Sequence, residues 1–157
     1  MNANKKVMVR LNELGLALPE PVTPLGSYVS GVRAGDLMFF CGHGPLRVNG
    51  KPAVRGHVGA DFSAERAGVI LMGATLNVLS SGRRLIGDLD QIASIVEAHA
   101  IISCAARRVV DVEAAAAPAF GLLARLFGPV GSYQITSVTS LPNGVPVLME
   151  VVAELRD

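Results

Sequence analysis

Two stretches of helical periodicity dominate the pattern of apolar and polar positions. Ala67, Ile70, Leu71, Ala74 and Val78 recur at i, i+3, i+4, i+7 and i+11, which predicts an amphipathic helix. Asp61-Phe62-Ser63 opens it, with Ser63 as N-cap and Glu65 in the first turn, where a carboxylate suits the helix dipole. Ser80-Ser81-Gly82 is expected to end or weaken it. A second stripe of Ala115, Ala116, Ala119, Leu123 and Leu126 predicts a helix from about Ala115 to Phe127, with Gly128-Pro129 as its stop. Pro118 is then expected in or near the first turn, where its missing N–H does no harm. The alanines of this stripe allow close approach to a sheet or another helix.

Between and around these helices the pattern is β-like. Strands are predicted over Ser27–Val32 and Leu37–Cys41, joined by the turn Arg33-Ala34-Gly35-Asp36. Gly42-His43-Gly44-Pro45 breaks the second. Leu46–Gly59 reads as a loop or a short edge hairpin around Asn49-Gly50, a strong turn dipeptide. After the polar turn Asp88–Gln91, Ile92–Ile102 forms a β-type run, whose period of two places Ile95, Glu97, His99 and Ile101 on one face. The segment Gly131–Leu155 is read as a C-terminal hairpin, two β-rich runs about the turn Leu141-Pro142-Asn143-Gly144. At the other end, Lys6–Leu14 predicts a short helix with Val7, Leu11 and Leu14 on one face and Gly15 as its stop, followed by the Pro-rich connector Leu18–Pro24. The order ββ–α–β–α–ββ suits one mixed sheet with two helices packed on one face, an α+β sandwich.

Bulk properties narrow the functional classes. The 157 residues are half hydrophobic, enough for one domain with a real core, and no composition break supports a second. A net charge of +1 and 4% aromatic content give no footprint for nucleic acid or an anionic membrane. The pairs Arg83-Arg84 and Arg107-Arg108 read as solvated surface. No apolar run is long enough to span a bilayer, and Met1–Lys6 lacks the apolar core of a leader, so cytoplasmic residence is the expectation. Cys41 and Cys104 read as small buried hydrophobes and not as a disulfide. His43, His57 and His99 are scattered, with no CxxC or HxxxH, so neither a metal nor a cofactor is expected.

The segment Gly26–Pro45 resembles the opening strands of the RidA (YjgF) family. Gly56-His-Val-Gly-Ala60, Leu76-Asn77, Gly87-Asp-Leu-Asp90, Leu126-Phe-Gly128 and Leu141-Pro142 follow in the family's order. The extension within residues 1–20, including Leu11–Pro19, is similar to the branch that begins with an additional short helix. The resemblance implies a chorismate-mutase-like fold, a homotrimer, and ligand sites in clefts between subunits. It also implies hydrolysis of imines or enamines to ketoacids and ammonia, with an arginine on the substrate carboxylate and a glutamate positioning water. Members have also been designated translation inhibitors or endoribonucleases.

Carried over residue by residue, Tyr28 matches the family's site tyrosine and Gly42 the glycine whose backbone faces the ligand. His43 stands where glutamine is common. The arginine position is occupied by Tyr133, the Cys or Thr position by Ile135, and the glutamate position by Leu148; the second-helix asparagine aligns with Ala117. A phenol offers one donor where a guanidinium offers a charged fork, and leucine offers no base.

The candidate catalytic groups are therefore His43, Tyr28 and Glu150, the last two residues beyond Leu148 on the same strand face. Cys41, Gly42, Ala117, Tyr133, Gln134, Ile135 and Leu148 are the candidate ligand-binding positions. Tyr133 either pairs with Tyr28 across a subunit cleft, with Gln134 nearby, or simply fills the space of the arginine. Two functions follow: a RidA-type enzyme with altered substrate, or a non-catalytic ligand-binding trimer of the same fold. The expected partners are a small-molecule ligand and two further copies of the chain, with no nucleic acid and no membrane.

Overall fold

A computed structural model of the chain describes residues 6–24 and 26–156. The Met1–Lys5 stretch read above for a leader lies outside them. Strands β1 (Gly31–Ala34), β2 (Leu37–His43), β5 (Ile92–Ser103), β6 (Ser132–Val138) and β7 (Val147–Leu155) form one sheet in the order β1-β2-β7-β5-β6. Helices α2 (Ala64–Ile86) and α3 (Val112–Phe127) cover one face of it; α1 (Val7–Glu13) docks beside them. This is the expected α+β sandwich with a mixed sheet. β3 (Arg47–Val48) and β4 (Lys51–Pro52) make the small hairpin about Asn49-Gly50, both at positive φ, as a tight primed turn requires.

Both helical stripes read from the sequence are buried, from Ala67 to Val78 and from Ala115 to Leu126. They meet the sheet through Met38, Phe40, Ala98, Ala100, Ile102, Met149, Val151 and Ala153. The short α1 is held at both ends. Val7 N–H donates to Asp90 Oδ1 at 2.7 Å, and the Arg10 guanidinium donates to the Leu126 carbonyl.

Several expectations are corrected. α2 does not stop at Ser80-Ser81-Gly82 but runs to Ile86. Ser80 donates to the Pro19 carbonyl and Ser81 bonds His43, so both hydroxyls serve tertiary contacts in place of competing with the helix backbone. Gly82 lets the Phe40 ring approach, since a Cβ there would lie 3.2 Å from it. Pro118 sits inside α3, because the helix begins at Val112 with Asp111 as N-cap. The first strand starts at Gly31, not Ser27; residues 26–30 are bends and coil.

The C-terminal segment is not a hairpin. β6 pairs in parallel with β5, and β7 inserts between β5 and β2, antiparallel to both. The Leu-Pro-Asn-Gly turn, a 3-10 turn over Pro142–Gly144, thus carries the chain past β5. Two register shifts in β5, between Ile92 and Ser94 and between Ile95 and Glu97, also change the face assignments. Each inserts an extra residue and reverses the alternation. Ile95 is buried against the helices while Glu97, His99 and Ile101 point to the uncovered face.

Candidate functional site

The uncovered face of the sheet and the loops at its β2 end hold most of the candidate residues. Tyr28, Gly42, Gly44, Arg47, Pro142, Asn143, Val145 and Leu148 line an open cleft. A second, narrower recess adjoins it, sharing Tyr28, Gly42, Gly44 and Arg47 and adding Cys41, His43 and Asn77. The loop after β2 is fixed from below by Asn77 of α2, which donates to the Gly44 and Pro45 carbonyls at 3.0 and 3.2 Å. A buried amide with partners of this kind sets the loop's shape. Leu148 forms part of the cleft wall. Arg47, not singled out by the sequence, supplies a cation there; its Nη1 donates to the Thr23 carbonyl.

His43 is placed differently from the rest. A register shift between Phe40 and His43 turns its side chain to the helix side of the sheet, where it is 3% exposed. Nδ1 lies 2.6 Å from the Cys41 carbonyl and Nε2 2.8 Å from Ser81 Oγ. A carbonyl only accepts, so Nδ1 carries the proton and Nε2 accepts from the serine hydroxyl. Burial holds the imidazole below its ordinary value; the bond to the Cys41 carbonyl opposes this, and the Arg47 charge adds to it. The ring is therefore neutral and fully engaged. For Cys41, burial first and then the Glu150 charge push the thiol up, against the bond within its own backbone. A thiol so held is a poor nucleophile.

Glu150 lies on the open face. Its Oε1 lies 3.5 Å from where a Cβ on Gly42 would stand, as does Leu148 Cδ1. Its Oε2 is 3.1 Å from His99 Nδ1, and His99 Nε2 is 2.9 Å from Thr136 Oγ1. Glutamate, histidine and threonine thus form a continuous line across β7, β5 and β6. Gln134, also on this face, donates to Glu97 at 2.9 Å. Sequence reasoning assigned no role to His99 and did not consider Thr136. The alternation did place His99 on the Glu97 face, but only the β5–β7 pairing of His99 with Glu150 brings the two together.

Tyr133 and Ile135 form a separate group. Ile135 packs against the core, and the Tyr133 ring stacks on Phe120 of α3 with centroids 4.3 Å apart. Ala117 is exposed on the same helix. β2 and β6 are three strand spacings apart, about 14 Å. Tyr28 and Tyr133 consequently belong to opposite sides of the sheet and do not meet within one chain.

No family model and no curated protein matches the sequence. Solved structures do. A candidate endoribonuclease from Shewanella oneidensis MR-1 superposes with a TM-score of 0.89 at 25% identity, over 96% of this chain and 100% of that one. A protein of unknown function from Agrobacterium tumefaciens gives 0.82 at 26% identity, over 96% and 92%. TdcF from E. coli, solved with bound serine, shares the fold at 0.57 and 17% identity, over 90% and 96%. In fold the chain is similar to these structures, and its ordered segments from Gly26–Pro45 to Leu141-Pro142 resemble the RidA (YjgF) family.

Proposed function

We propose that the protein is a RidA-type hydrolase of imines or enamines whose substrate differs from the family's usual amino-acid-derived acids, and that it works as a homotrimer. One observation carries the reading. The Glu150 carboxylate, two residues from the leucine that stands in the glutamate position, reaches Gly42 beside the cleft of Tyr28 and Arg47. A base remains next to the ligand-facing glycine, so the chemistry is displaced by one residue pair along β7 and not removed.

In this reaction a water oxygen bonds the imine carbon and the C=N π pair moves to nitrogen. Glu150 takes a proton from the water and delivers it to the nitrogen, which gives a carbinolamine. Its O–H proton then passes to nitrogen, the C–N bond breaks, and a carbonyl compound and ammonia leave. Tyr28 is assigned to hydrogen bonding of the substrate. The second half of the site, Ala117, Tyr133 and Ile135, comes from a neighbouring copy, because the strand order separates it from the first half. A cleft with phenols on both walls suits a neutral or aromatic ligand.

The second reading, a non-catalytic ligand-binding trimer, is favoured by Leu148 and by the neutral, fully bonded His43. Incubation with imines generated in situ separates the two, with ammonia as readout. Turnover of a neutral imine such as benzaldimine, with little on 2-aminoacrylate, is expected. Equal turnover of the acid would overturn the altered substrate. No turnover of either, with tight binding of a metabolite, would make the protein a binder.

A further inference from the structure

We infer that Glu150 acts together with His99 and Thr136 as a hydrogen-bonded relay, with His99 positioning the base and Thr136 positioning His99. The inference rests on the hydrolase reading above and names the residues that make its base work. Three distances carry it: Glu150 Oε2 to His99 Nδ1 at 3.1 Å, His99 Nε2 to Thr136 Oγ1 at 2.9 Å, and Glu150 Oε1 against Gly42. The line therefore starts at the ligand-facing glycine and ends on the edge strand β6.

Its chemistry is defined by the donor inventory. An ionised carboxylate only accepts, so Nδ1 of the neutral imidazole carries the proton and Nε2 offers its lone pair to the Thr136 hydroxyl. When Oε1 takes a proton from the attacking water, Glu150 holds it as the carboxylic acid while Oε2 goes on accepting from Nδ1–H. The same proton passes to the substrate nitrogen as the carbinolamine forms, so no further reactant is needed. An orienting carboxylate fixes the imidazole tautomer. The carboxylate stays half exposed (44%) while the histidine is more enclosed (19%), which leaves the free oxygen open to a ligand.

The relay lies among other titratable groups. Glu97 and Glu154 share the face, held by Gln134 and Ser94, the Cys41 thiol lies beside Glu150, and Arg47 borders the cleft. Leu148 and Ile101 pair in the next row of the same two strands. They form an apolar margin about 7 Å along from the relay. That margin is what the substitution of the family glutamate by leucine adds to the site.

The test uses the full-length protein with benzaldimine formed in situ by an amine oxidase, comparing wild type with Glu150→Gln, His99→Gln, Thr136→Val and Thr136→Ser. Glu150→Gln should lower kcat by about 100-fold. His99→Gln and Thr136→Val should each lower kcat about 10-fold or more with KM little changed, and Thr136→Ser should keep wild-type kcat. Nitrogen NMR of His99 should show the proton on Nδ1 in wild type and not in Glu150→Gln. Wild-type kcat in both His99→Gln and Thr136→Val, or a change confined to KM, would overturn the relay and leave the hydrolase reading standing. An inactive wild type would overturn that reading and the relay with it. Circular dichroism and sedimentation of each variant separate loss of kcat from loss of fold, and a misfolded His99→Gln is replaced by His99→Asn.

Discussion

Two histidines of this chain differ in what surrounds them, and their chemistry differs accordingly. His99 faces a carboxylate and a hydroxyl on the open side of the sheet. His43 faces a carbonyl and a serine beneath it, in a pocket that holds it neutral. The second arrangement has a thermodynamic consequence. A cationic acid whose folded value lies below its unfolded one binds its proton first in the unfolded chain. Above pH 6.5 both states are neutral and His43 contributes no pH dependence. As pH falls through that value the unfolded state gains protons and stability is lost. Thermal unfolding from pH 8 to 5 should show a fall in Tm below about pH 6.5 that is diminished in His43→Gln. Identical pH profiles for the two proteins would contradict the buried, neutral assignment.

At the scale of elements, the packing of α2 on α3 depends on one small residue and one proline. A Cβ on Gly68 would lie 2.9 Å from Pro118 Cγ and 3.3 Å from the Ala115 carbonyl. Pro118, in the interior of α3, cannot swing its ring aside. Gly68→Ala, ordinarily favourable in a helix, should therefore destabilise the protein by about 1–3 kcal/mol through overpacking. Adding Pro118→Ala should restore much of the loss, which urea unfolding of the single and double variants would measure. A stabilised Gly68→Ala protein would show that the two helices separate without cost. The bulges in β2 and β5 matter in the same way. They decide that His43 turns inward and that His99 turns outward, toward Glu150.

For the whole molecule, the proposed trimer requires residues of two copies to meet in one cleft. Val32 and Phe39 stand side by side on the uncovered face of the sheet, both about half exposed, and an apolar face of this kind suits burial against other copies. Sedimentation equilibrium should give three times the chain mass, and Phe39→Glu should shift the protein to monomer. Mixing tests the shared site directly. Glu150→Gln blocks one half and Ala117→Trp fills the other, so each variant alone should be inactive. In a mixture refolded at equal amounts, about a quarter of the clefts regain two intact halves if each is built between neighbours in a cyclic trimer. Recovery of activity toward that level is expected; none at all would place both halves in one chain.

The sequence by itself determined the two long helices and their buried faces, because those follow from local periodicity. The Asn49-Gly50 turn was legible from its residue types, and the ordered family segments from their resemblance; the β5 face was not, because its bulges reverse the alternation. By the resemblance, Tyr133, Ile135 and Leu148 stand at the family's arginine, Cys or Thr, and glutamate positions. Only the tertiary structure decided what surrounds Glu150. β7 enters between β2 and β5, so Glu150 meets Gly42 on one side and His99 on the other, and β6 adds Thr136 beyond. His99 lies 51 positions from Glu150 and 37 from Thr136 in the chain. Their meeting depends on strand order and on single-residue bulges. Neither leaves a local signal, because each is settled by how the whole sheet packs against its helices.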